Sequence, residues 1–293
     1  MKTRYRVDYV LFIVAMLSIG SASILVRLSN ASAIACAFWR LFFSVPIIFL
    51  IAVINGVKLF HSHIFLSLKY AILSGVALAL HFIMWMDSLF KIPISISTTI
   101  VVAYPIHLLL LETMISREMP SRREVAGIAI AFIGIGIFFS HAYIDVELNL
   151  EGVLESFIAS ILAAIYFYIG RIARRFLDIY SYTIPTYIIG ALTILLYNNI
   201  FTKDNILYYI PSSLIWLLLL AIIPMIGGHT VMNYLLKHYK SSIVTSIALA
   251  EPAIATLLAM PILSEVPKIN HVIAIIMTLS GIFITLKVDS LNK

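Results

Sequence analysis

Apolar residues run along this chain in ten long stretches separated by short polar connections. The stretches lie near residues 8–27, 32–54, 66–88, 95–115, 124–140, 150–170, 181–201, 213–235, 241–263 and 269–287. An α-helix rises 1.5 Å per residue, so about 20 apolar residues cross the hydrocarbon core of a bilayer. Most stretches lack a continuous polar face, as expected of helices that meet lipid. The pattern predicts an all-α membrane protein of ten transmembrane helices.

The pattern also nearly repeats. Residues 98–138 laid on 245–285 give 14 identities in 41 positions, at a constant shift of 147. Apolar coincidences are cheap in such a chain, but the matches include scarce residues: Pro105/Pro252, Glu118/Glu265, Pro120/Pro267 and Gly134/Gly281. Arg27/Arg174 and Ser95/Ser242 fall on the same shift. The chain therefore divides into two five-helix repeats, 1–147 and 148–293, with the boundary in the linker near Asp145 to Asn149. A unit with an odd number of crossings ends on the far side of the membrane, so two copies in tandem lie inverted. Inverted repeats are a usual construction of secondary transporters, with the substrate site between the halves.

Composition agrees. Of 293 residues, 62% are apolar and 12% charged, far too little charge for the surface of a water-soluble domain. A net charge of +6 could point to nucleic acid, but the basic residues sit at the ends of spans. With the N-terminus in the cytoplasm, 15 Lys and Arg fall on that side, four on the other, and Arg40 within a span. That asymmetry is the positive-inside rule, which places both termini in the cytoplasm and the protein in the cell membrane. The initial basic residues, the first apolar run and Ser21-Ala22-Ser23 also fit a signal peptide with a small-residue cleavage site. Cleavage would remove Arg27's context and unbalance the repeat, so the segment is read as a retained first span. The single cysteine, Cys36, excludes an internal disulfide and a cysteine-rich metal site, and no cofactor is expected.

Polar residues inside spans are the candidates for chemistry. Pro105 and Pro252 lie near the middle of spans four and nine, each after a hydroxyl cluster: Ser95, Ser97, Thr98 and Thr99, then Thr245 and Ser246. Proline frees carbonyls of the preceding turn, which hydrocarbon does not tolerate unless protein or water is at hand. A substrate site or an ordinary kink would each account for them. Glu251 lies at mid-span, where a carboxylate is costly, so it must be protonated, paired or wet. It is a candidate for a proton or a substrate amine, with Tyr104 its repeat mate. Arg40, beside Trp39 in span two, stays charged and needs a carboxylate, carbonyls or an anionic substrate group. His81 and His229 lie in spans three and eight, with Trp85 and Asn233 one turn on. They fit a proton-exchanging pair or satisfied packing residues. Glu112 is expected to snorkel to water. Glu118 and Glu265 read as helix-end elements, and Tyr166 and Tyr168 as cavity walls or an interfacial belt. Spans five and ten carry almost no polar side chains and read as scaffold or homodimer-contact helices.

The sequence Ala103 to Pro105 followed by Glu118, recurring as Ala250 to Pro252 followed by Glu265, resembles the EamA-type members of the drug/metabolite transporter superfamily. Phe38-Trp39-Arg40 and the His81-Phe82 to Trp85 stretch are similar to the same family. The resemblance covers both halves. It implies alternating access without ATP hydrolysis, a central cavity lined by spans other than five and ten, and export of amino acids, related metabolites or drugs. Proton coupling is compatible with Glu251. The departure is Tyr104, which stands where the second half has Glu251. The alternative class is a lipid-linked sugar flippase or a nucleotide-sugar or phosphate carrier. That class calls for several cations within the spans, where Arg40 stands alone. A pump is excluded for want of a phosphate-binding loop, and an intramembrane enzyme for want of paired Asp or a Ser–His set.

Overall fold

The computed structural model describes residues 2–57, 64–139, 149–263 and 269–286. The half boundary around Asp145 and Glu147, and Glu265 with Pro267, lie outside the described residues, as does the side chain of Ser95. Among the described residues every regular element is helical. The physical reason is that hydrocarbon offers no partner for backbone polar groups, which a helix satisfies within itself.

The first half contains α1 (Lys2–Gly20), α2 (Ala22–Leu28), α3 (Ala33–Ile54), α4 (Ile64–Lys91), α5 (Ile94–Val101), α6 (Tyr104–Leu111) and α7 (Arg122–Phe139). The second contains α8 (Leu150–Arg174), α9 (Ile179–Tyr197), α10 (Ile210–Leu220), α11 (Val231–Leu235), α12 (Ser241–Ser246), α13 (Glu251–Leu263) and α14 (Ile269–Leu286). Seven stretches of these helices are long and apolar enough to cross a membrane: 8–28, 33–54, 65–91, 96–116, 150–174, 179–202 and 211–235. The segments at 241–255 and 272–286 are apolar but shorter, and α7 opens on Arg122, Arg123 and Glu124.

Helix ends follow local chemistry. Ser32 caps α3 by accepting from the Ala35 N–H, Asn149 caps α8, and Asp178 caps α9 through the Tyr180 and Ser181 amides. At α7, the Glu124 amide donates to Ser121 Oγ and the Ser121 amide donates to Glu124 Oε2, a reciprocal capping box. Asn30, Arg117 and Lys203 stop their helices in the left-handed region.

Several helices are interrupted. A turn at Val102–Ala103 separates α5 from α6, and the tighter 3₁₀ segment Ile247–Ala250 separates α12 from α13. Pro105 stands at the second position of α6 and Pro252 at the second of α13, where a missing N–H costs least. A wide π segment, Ala221–Thr230, carries Pro224 and joins α10 to α11.

The halves interleave. α4 packs along α8 and α9, α3 along α9, and α1 against Ala221–Thr230. α7 packs against α14, so the fifth and tenth spans meet within one chain. At their contact a Cβ on Gly281 would collide with the Ala131 amide and lie 2.5 Å from the Gly127 carbonyl. A Cβ on Gly127 would lie 2.7 Å from the Gly281 carbonyl. Glycine is required there because the obstacle is backbone. Thr278 Oγ1 donates to the Ala131 carbonyl at 3.4 Å, a bond between residues 147 apart in sequence.

Candidate functional site

Where the interrupted helices pass α3, α4, α8 and α9, a buried polar and aromatic cluster fills the interior. Arg40, on α3, is fully buried; its guanidinium lies 4.0 Å from the centre of the Phe82 ring on α4. Its Nε, Nη1 and Nη2 have no hydrogen-bond partner among the described residues. Glu251, at the start of α13, is buried, and its Oε1 also lacks a partner. Arg40 lies within electrostatic reach of Tyr187, Cys36, Glu251 and Tyr166, and among the described residues it forms no ion pair within 4 Å. Buried charges without hydrogen bonds cost several kcal/mol each in ordinary proteins, so such a pair asks for a purpose beyond stability.

Aromatic rings wall this pair. His229 stacks on Phe167 at 5.7 Å and meets Phe82 edge-on at 5.2 Å. His81 lies parallel to Trp85 at 6.1 Å, and its Nδ1 is 2.8 Å from the Ala159 carbonyl. That geometry makes Nδ1 the donor and leaves Nε2 the acceptor. The two histidine rings are 6.4 Å apart. Tyr104 stacks on Phe167 at 5.4 Å and is within electrostatic reach of Glu251. Asn233 donates to Tyr166 Oη and to the His229 carbonyl, while its Oδ1 has no partner. Tyr187 Oη and Thr230 Oγ1 are 2.9 Å apart. Trp85 Nε1 and His229 Nδ1 complete the unpartnered buried set around the charges.

The structure thus brings together Arg40, His81, Trp85, Tyr104, His229, Asn233 and Glu251. Trp39 is elsewhere: its indole N–H donates to the Ile206 carbonyl at 3.0 Å, and its ring packs on Phe38, Phe42 and Phe43. Thr245 is buried but bonds back to the Ser241 carbonyl at 2.8 Å. Thr98 is buried with its hydroxyl unpartnered, on α5. Pro105 and Pro252 immediately follow Tyr104 and Glu251 and fix where those side chains enter the interior.

Four residues of the cluster were not among the sequence's candidates: Phe82, Phe167, Tyr187 and Thr230. The repeat would have found two of them. Tyr187 is the mate of Arg40 at the 147 shift, and Phe82 the mate of His229. Phe82 and His229 meet edge-on, and Arg40 and Tyr187 lie within electrostatic reach of one another. Glu112 differs from expectation: it is buried, accepts from Ser241 Oγ and faces Arg171 at 3.5 Å, so it does not reach water. Glu118 does more than end a helix, since it pairs with Arg171 and Arg175. Asp87 pairs with Lys91 at 2.7 Å. Arg27 and Arg174 do matching work on carbonyls, Leu89 for the first and Asn233 for the second. Among the described residues no three His, Cys, Asp or Glu side chains gather as a metal site.

Apolar helices that interleave around buried, unpartnered charges define a multi-pass membrane protein with a polar interior. The family follows from direct comparison. The model of the EamA-like transporter family matches residues 7–140 and again 150–287, and this chain belongs to that family. An uncharacterized transporter in the sor 3′ region of Acidianus ambivalens is 26% identical over 212 residues, covering 71% of this chain and 78% of its own. A solved crystal structure shares the fold with a TM-score of 0.76 at 14% identity, covering 95% of this chain and 96% of its own. The protein is therefore a transporter by family, of the drug/metabolite superfamily, with a small-molecule cargo and the bilayer as its surroundings.

Proposed function

We propose that this protein is a secondary transporter of the cell membrane that exports amino acids, related metabolites or drugs by alternating access. In this reading residues 1–147 and 148–293 are inverted repeats of five spans each, ten in all, with both termini in the cytoplasm. The basic residues supply the orientation, and α7, α12–α13 and α14 supply the three spans beyond the seven long apolar ones.

One observation carries the substrate reading. Arg40 and Glu251 are buried, one basic and one acidic, each has side-chain atoms without a hydrogen-bond partner among the described residues, and rings wall them. A zwitterion satisfies both at once: its anionic group takes the guanidinium donors, and its ammonium takes the carboxylate. Aromatic and imidazole faces receive the apolar remainder. When the site is empty of cargo, a proton on Glu251 serves the same electrostatic end, which is how proton coupling would enter. A carrier of phosphorylated cargo is less favoured, because Arg27 and Arg174 already spend their donors on backbone carbonyls. That leaves one guanidinium at the centre.

The test is efflux from proteoliposomes loaded with a panel of amino acids and metabolites, run across pH for the parent and for Glu251→Gln. The expected result is saturable efflux of a zwitterionic solute that falls tenfold or more in the variant and loses its pH dependence. Unchanged flux with an unchanged pH profile ends the role of Glu251.

A further inference from the structure

A second charged cluster lies away from the central site, at the end of the bundle where α1 begins. Glu112 accepts from Ser241 Oγ and faces Arg171 Nε at 3.5 Å. Arg171 Nη2 reaches Glu118 at 2.9 Å, and its Nη1 donates to the Tyr239 carbonyl at 3.1 Å. Glu118 also holds Arg175 at 3.0 Å. Glu124 accepts from Ser242 Oγ and pairs with Lys240 at 3.2 Å.

Three features set this cluster apart from a surface decoration. Every carboxylate comes from the first half, between α6 and the start of α7, and the cations that meet them come from the second, with Ser241 and Ser242, while Ser121 of the first half only caps α7 against Glu124. The bonds therefore hold neither half together internally; they hold the halves to each other. Glu112, Glu124 and Arg171 are buried, so separation obliges water to enter. Of its six charged members only Glu118 has a like mate in the repeat, Glu265. At the 147 shift Glu112, Glu124, Arg171 and Lys240 stand opposite Ala259, His271, Ile24 and Pro93.

Its position connects it to the site. α6 runs from Tyr104 and Pro105 to Glu112, and α12 runs from Ser241 toward the 3₁₀ turn that delivers Glu251. The bond between Ser241 and Glu112 thus ties the two interrupted helices together one helix-length from the charges they present. At the opposite end the described residues include only part of the contacts between halves. There Lys91 meets Glu151 and Glu155, with Glu151 largely exposed, and neutral bonds such as Trp39 to Ile206 and Ser213 to the Ser29 carbonyl cross between halves.

We propose that the clasp of Glu112, Glu118 and Glu124 with Arg171, Arg175 and Lys240 is the gate of that end, closed as seen here and broken once in each transport cycle. Arg171 is its positioning residue, since it alone holds two of the three carboxylates. The proposal rests on the alternating-access reading.

The test uses the full chain with Cys36→Ala, which removes the one native thiol. In the first arm Thr245→Cys, one turn inside the clasp, is labelled with a membrane-impermeant maleimide added from the clasp side. Arg171→Gln is expected to raise the labelling rate about tenfold, and Arg175→Gln, on the exposed arm, to raise it less. The second arm carries Glu118→Cys with Arg175→Cys, bridged by a short reducible cross-linker. Bridging is expected to stop efflux, and reduction to restore it. Labelling unmoved by both arginine variants, or full efflux through the bridged chain, overturns the gate. A parent that carries no solute of the panel but shows the labelling change sustains the gate and overturns the substrate reading alone.

Discussion

Arg40 decides between two kinds of protein interior. A structural arginine is held by carbonyls or a carboxylate, and truncating it leaves those partners stranded at a cost of about 3–5 kcal/mol. Here the guanidinium rests on Phe82 and leaves all three nitrogens unpartnered, so the chain loses little when it goes. Arg40→Met is expected to keep or raise the melting temperature in detergent while abolishing transport. A fall of several degrees together with retained transport would make Arg40 a packing residue. Individually, Arg40, Glu251 and the two histidines are conspicuous in the sequence because ionisable groups are rare at such positions. Their common location is not, since spans two, three, eight and nine meet only through the packing of α3, α4 and the interrupted helices. Trp39 shows the converse. It adjoins Arg40 in sequence, but successive helix positions point 100° apart, and its indole belongs to the Ile206 loop.

At the scale of the element, glycine and caps carry the weight. The α7–α14 contact needs backbone against backbone, and Gly281 faces the Ala131 amide with no side chain to move aside. Gly281→Val is expected to destabilise the folded chain by about 2 kcal/mol or more, read as a lowered unfolding temperature in detergent. An unshifted transition would mean that the two helices do not pack as seen. The long apolar stretches and the breaks near Pro105 and Pro252 were legible in the sequence, because each follows from local chemistry. The π segment at Ala221–Thr230 was not, since Pro224 alone does not say whether a helix kinks or widens. Nor was the partnership of α7 with α14, which depends on how two distant helices approach.

Asp178, between α8 and α9, lies outside the spans. Burial works to raise its pKa, but the Ser181 hydroxyl, the Ser181 and Tyr180 amides and nearby Arg174 together lower it below the usual carboxylate range. A carboxyl with a lowered folded-state pKa stabilises fully above its unfolded value, near 4, and loses that contribution as pH falls toward and through the folded value. Asp178→Ala is expected to cost about 1 kcal/mol at neutral pH, the worth of a helix cap, with the difference from the parent shrinking in acid. A deficit independent of pH would assign the loss to packing.

For the whole molecule the decisive property is the relation between halves. If the repeats are inverted, reporter tags in the linker around residue 145 will read the compartment opposite to tags at both chain ends. The same compartment for all three would remove the basis for alternating access. Scarce residues alone suggested this relation in the sequence, whereas the interleaving of α4 with α8 and α9 needed coordinates.

The presence of repeat mates together in the cluster has a further consequence for ancestry. A chain built from the first half twice would place arginine at position 187 and tyrosine at 251: two guanidiniums facing each other and no acid. The second half twice would give glutamates at 104 and 251, histidines at 82 and 229, and no guanidinium. Neither symmetric parent could grip one acid end and one base end of the same molecule. In the zwitterion reading proposed above, the divergence of the halves would give the cargo a heading, with its negative end toward α3 and its positive end toward α13.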